Sequence, residues 1–261
     1  MTYKFSDSPA TLKRAEVLAV KLMQEADRLI EAGSTDVHWE HKKTFPIMFG
    51  WWRLINRSTA AFWDLTGRGY TIEAAPIMRN IVDHTLAMIW LADVGDDGLP
   101  ALELSAHYSQ DKLAKLAKDL GWSIPAGADQ MPPPVPNTDP DYKKYTALSG
   151  EFANFFNRVN AFAMRDMYVV YQYLSRYSHA SLHTAARYAQ LQENGLFRLS
   201  SAAPSQGRAD AIWATVSLIQ AGHAISPTMV GDPLRKLLEK AANDLGLTSP
   251  EAVYPVRPTS P

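Results

Sequence analysis

The chain has 261 residues, 46% of them hydrophobic, a formal net charge of −1 and no cysteine. That length and apolar content suffice for a sizeable core, and the near-neutral balance carries no electrostatic footprint for duplex DNA or an anionic membrane surface. The missing cysteines exclude disulfides, thiolate metal sites and cysteine nucleophiles, and they fit a reducing cytoplasm.

The N-terminal stretch MTYKFSDSPATLKR lacks the apolar run of a signal peptide. A first helix is expected from Ser8, an N-cap, with Pro9 in the favoured first position and Gly33 as its stop. Leu12, Ala15, Leu18, Leu22, Ala26 and Leu29 keep a helical period along it. A polar linker follows with His38, Glu40 and His41, too close together to face one metal from a regular helix. Residues 1–44 thus read as an N-terminal helix and linker. The second helix is expected from Pro46 to Leu65, closed by Gly67 and Gly69. Thr71 is expected to cap a third, over 72–93, with Pro76 near its first turn, where a missing N–H costs least. A fourth fills 99–120 and ends at Gly121.

Residues 122–141 hold six prolines and no helical period, which marks a surface excursion inside a bundle spanning 45–246. Helical pattern resumes at Tyr142 and runs to Tyr188, with breaks expected at Gly150 and at Ser178–Ser181. Asn194-Gly195 between apolar-alternating flanks predicts a small β-hairpin at 191–200. Helices over 208–225 and 232–245 follow, and the proline-rich tail, 247–261, reads as extended. The longest apolar runs, 86–92 and 211–225, are too short or too polar to span a bilayer. The class is all-α, a multi-helix bundle with at most one hairpin.

No nucleotide-binding glycine loop, nucleophile elbow, His-Glu-x-x-His or paired Glu-x-x-His motif occurs; neither a metal nor a cofactor is implied. Two polar stripes carry what chemistry there is. On the third helix, Arg79 and Asp83 stand four apart amid Ile77, Ile81, Val82, Leu86, Ile89 and Trp90. A charge in so apolar a helix needs partners, and a plain i,i+4 ion pair between these two is one way to supply them. In YLSRYSHASLH, Ser175, His179 and His183 follow Tyr168 and Tyr171 at steps of three or four. Such a run of polar groups on one face is either a satisfied core network or a site.

Together the stripes resemble an uncharacterised bacterial family of helical proteins, a domain of unknown function. Its pattern is Arg-x-x-x-acid on one helix and Tyr-x-x-x-Ser-x-x-x-His on another, here Arg79 with Asp83, and Tyr171, Ser175 and His179, over roughly 45–200. An aspartate stands where that family more often has glutamate. The resemblance implies a helical fold and a pocket, and supplies no reaction. A second likeness is to HEPN ribonucleases, through Arg79-Asn80-x-x-x-His84. It implies metal-free RNA cleavage, with histidine as general acid or base, arginine on the phosphate and a site built across a homodimer. Five residues turn a helix by about 140° beyond a full turn, so His84 would meet an arginine from another subunit more readily than its own Arg79.

The expected function is therefore binding of a small anionic ligand or a partner protein in a buried polar pocket, with RNA cleavage as the alternative. Binding candidates are Arg79, Tyr171, Ser175, His179 and His183, with the aromatic area of Trp51, Trp52, Trp63, Trp90, Tyr168 and Tyr171 nearby. Catalytic candidates are Arg79, Asp83, His84 and His179.

Overall fold

A computed structural model describes residues 8–122, 134–201, 209–247 and 249–258. The fold is all-α with a small hairpin. Most of the proline-rich excursion, the 208 helix start and the last three residues lie outside the described residues.

Helix α1, Pro9–Glu31, starts where Ser8 accepts the Thr11 N–H on its side chain. It buries Ala15, Leu18, Ala19, Leu22 and Ala26, the stripe that the period predicts. Helix α2, Phe45–Gly67, follows a 3-10 turn at Trp39–His41. Helix α3, Ala75–Val94, begins three residues later than expected, after a turn through Thr71–Ala74. The cause is Pro76: in a helix begun at 72 its nitrogen would have to donate to Ile72, and it has no hydrogen to give. Thr71 does not cap; its buried hydroxyl has no hydrogen-bond partner among the described residues. Helix α4 is Gly98–Asp119.

Residues 134–141 form turns leading to α5, Tyr142–Ala153. The helix runs straight through Gly150, and the break falls at Asn154. Asn154 leaves helical geometry at φ −114°, ψ 116° and its side chain accepts the Phe156 N–H, capping α6, Phe155–Ala161. Helix α7 is Arg165–Ser178, and the expected break at Ser178–Ser181 is present. Ser181 opens α8, Leu182–Ala185, with a reciprocal capping box to Thr184. Strands β1, Ala189–Leu191, and β2, Phe197–Leu199, pair antiparallel, with Asn194-Gly195 in the turn and Gly195 at φ +78°.

Helix α9, Ala209–Ile225, is apolar all round and is buried from Ala211 to Ala221, as its composition requires. It packs on α1, α2 and α3, and on α10, Arg235–Leu245. Thr215 Oγ1 donates to the Ala15 carbonyl at 3.0 Å, tying α9 to α1. The tail differs from the extended expectation. Pro250–Val253 form one more helical turn, α11, which packs on α9, where Gln220 Nε2 donates to the Ala252 carbonyl. Beyond it Arg257 pairs with both Glu151 of α5 and Asp93 of α3. No helix among the described residues is long and apolar enough to cross a membrane.

Helix α3 is the second central element, packed on α2, α6, α7 and α9. It buries every residue from Thr85 to Leu91. Its first half, from Arg79 to His84, presents polar side chains at the bundle's flank, and that half positions the site.

Candidate functional site

Arg79 leans from α3 onto α7. Its Nε donates to Ser175 Oγ at 3.1 Å, and Nη2 donates to the Tyr171 hydroxyl. The guanidinium carbon also lies 4.5 Å from the centre of the Tyr171 ring. Ser175 gives its own proton to the Tyr171 carbonyl at 2.7 Å, so toward Arg79 it acts as an acceptor. Burial raises the Tyr171 hydroxyl above its ordinary pKa, against a lowering by the Arg79 charge, so its proton stays on. Arg79 forms no ion pair among the described residues.

Asp83 does not pair with Arg79. It turns to Arg158 of α6, whose Nη2 donates to Asp83 Oδ1 at 2.5 Å and whose Nη1 donates to the Asp83 carbonyl at 3.3 Å. The Arg158 side chain is only 6% exposed, the Asp83 side chain 35%. Phe152 and Phe155 lie under the Arg158 guanidinium at 5.1 and 5.6 Å, and its Nε has no hydrogen-bond partner among the described residues. Phe155 stacks on Tyr171 with centroids 3.8 Å apart and planes 10° off parallel. The result is a column of guanidinium, two rings and guanidinium, Arg158–Phe155–Tyr171–Arg79. It carries two positive charges against the single carboxylate of Asp83.

His84 joins neither arginine by a hydrogen bond. Its Nδ1 lies 2.8 Å from the Asn80 carbonyl, and since a carbonyl only accepts, Nδ1 bears a proton. In the neutral ring Nε2 is then an acceptor. His84 lines a cleft of about 250 Å³ together with Asp83, Arg158, Trp51 of α2, Ser105 and Ser109 of α4, and Phe152 of α5.

The histidines of the second stripe are displaced. α7 stops at Ser178, and His179, at φ −129° and ψ 155°, leaves the helical path. Both His179 and His183 are exposed, and no step-of-four face joins them to Tyr171 and Ser175. Of the binding candidates, the fold brings Arg79, Tyr171 and Ser175 together and leaves His179 and His183 outside that contact. The tryptophans are mostly scaffold. Trp52 and Trp90 are buried, and Trp90 Nε1 donates to Glu151 at 2.8 Å. Tyr168 meets Phe156 edge-on. His38, Glu40 and His41 sit on the 3-10 turn, and among the described residues no three His, Asp or Glu side chains gather to hold a metal ion.

A family model, DUF5677, described as a family of unknown function, matches residues 45–196, more than half of the chain. The chain belongs to DUF5677. The DUF5677 region takes in the whole column, the cleft, and the first strand and turn of the hairpin, and leaves β2, α1, α9, α10 and α11 outside it. No curated protein and no solved structure matches the chain. Sequence reasoning missed Arg158, the most buried charge of the site. Its signal was an arginine inside the aromatic run FANFFNRVNAF, where no charge belongs without a partner.

Proposed function

We propose that this DUF5677 protein binds a small anionic ligand at Arg79. One observation carries the reading: Arg79 is half-buried and held in place by two neutral hydroxyls and a ring, with no carboxylate paired to it among the described residues. A guanidinium fixed this way keeps N–H donors and a full charge for a carboxylate or phosphate, with little side-chain entropy left to lose. The net positive charge of the column favours the same class of ligand. Titration with inorganic phosphate and with acetate, followed by calorimetry and thermal melting, tests the proposal. Wild type should bind at least one of them and melt higher with it; Arg79→Gln should lose the response and keep its fold. No binding by wild type, or equal binding by the variant, would refute it.

A second reading is metal-free RNA cleavage by Arg79 and His84, favoured by the His84 Nδ1–H bond that leaves Nε2 to exchange a proton. Arg79→Ala or His84→Ala should then abolish cleavage of a fluorogenic RNA, with an unchanged melt. That reading alone calls for a homodimer. For either reading we propose a bacterial cytoplasm as the setting, in keeping with a chain that has no cysteine.

A further inference from the structure

We propose that the cleft between α2, α3, α4, α5 and α6 is a binding site in its own right, taking a small, uncharged, planar molecule of the lactam or ureide class. It does not depend on Arg79, which is not among the residues that line it.

Charge decides first. The ionic groups on its wall, Asp83 and Arg158, neutralise each other at 2.5 Å. A charged ligand entering here would give up hydration and find no counter-charge waiting.

Hydrogen bonding decides next. The α3 wall offers acceptors: Nε2 of His84 in the tautomer whose Nδ1–H meets the Asn80 carbonyl, and the Asp83 oxygen that Arg158 does not take. Neither has a hydrogen-bond partner among the described residues. The α4 wall offers the hydroxyls of Ser105 and Ser109, one turn apart on a single face and also without partners there. A serine in a helix commonly turns back to its own backbone, as Ser175 and Ser178 do. These two do not. A ligand that sets an N–H beside a C=O would donate to α3 and accept from α4.

Shape narrows the class further. Trp51 and Phe152, which also line the cleft, lie 13° from parallel with centroids 6.0 Å apart, giving it flat aromatic surfaces. A volume of 250 Å³ lies below the range of drug-sized sites, about 300–1,000 Å³, and suits a single small ring.

Uracil and 2-pyrrolidone are the probes, with acetate and benzene as charged and apolar comparisons, read by amide NMR shifts across the full chain. Uracil or 2-pyrrolidone should move the Ala87, Ser105 and Ser109 amides saturably. His84→Phe, which removes one acceptor at a half-exposed position, should weaken this about tenfold. Ser109→Trp, which fills the cleft from an exposed position, should abolish it with the melt unchanged. The proposal is overturned if neither lactam saturates, if Ser109→Trp binds as wild type does, or if acetate or benzene binds there as well. Ser109→Trp leaves Arg79 untouched, so its response to phosphate reports on the anion reading separately.

Discussion

Removing the charge of Asp83 should cost more stability than removing that of Arg158, although both changes break the same ion pair. Arg158 is the buried partner, 6% exposed against 35% for Asp83. Asp83→Asn leaves a charged guanidinium enclosed by Phe152 and Phe155, with only neutral acceptors, the amide oxygen of the new side chain and the backbone carbonyl of position 83, in place of its counter-charge. Stripping one partner from a buried pair costs about 3–5 kcal/mol. The retained carbonyl bond and the half-open carboxylate put this case at the low end, about 3 kcal/mol. For a chain of this size that lowers Tm by roughly 6–12 °C. Arg158→Met leaves Asp83 beside the cleft, where water reaches it, and keeps an apolar stem between the two rings; its cost should be about 1 kcal/mol. Urea denaturation followed by circular dichroism, with the slope checked for constancy, measures both. If Arg158→Met proves as costly as Asp83→Asn, or more so, the burial asymmetry is not what governs the pair and the reasoning fails.

Burial pushes the Asp210 carboxyl up to about 6. The folded chain therefore holds this proton more tightly than the unfolded one, and stability falls as pH rises from about 4 to above 6; Asp210→Asn should gain about 3 kcal/mol over wild type at pH 7.5 and little at pH 4, seen in melts across that range. At Gly222 an added Cβ would stand 2.5 Å from Leu238 Cδ2, inside the α9–α10 contact, so Gly222→Ala should destabilise by about 1–3 kcal/mol in chemical denaturation. Glu151→Ala removes the acceptor shared by Trp90 and Arg257, so amides at 252–257 should exchange hydrogen faster while those of α9 do not change.

The helices were legible because their signals are local. Ser8, Pro9 and Gly33 bracket α1 with side chains and φ preferences that act within one turn. Asn194-Gly195 marked the hairpin for the same reason. At the α3 start two local signals conflict, Thr71 as a cap and Pro76 as a missing donor, and the proline prevails. The site was half legible. Arg79, Tyr171 and Ser175 share their contact because a four-residue step on α7 survives as far as Ser178. It fails for His179 and His183 because the chain turns at 178–181, and a period carries no information past a break. The Asp83–Arg158 pair could not be read at all. Its partners lie 75 residues apart, and a nearer arginine, four residues away, offered a simpler match.

The union of α1 with α9 bears on how the protein is made. Ala15 and Thr215 are joined across 200 residues, so the greasy side of the first helix emerges from the ribosome long before its cover is synthesised. Until then α1 has α2 as its neighbour and lacks the larger contact with α9. Arrested chains ending before residue 209 should therefore be the species most prone to clump in the cell.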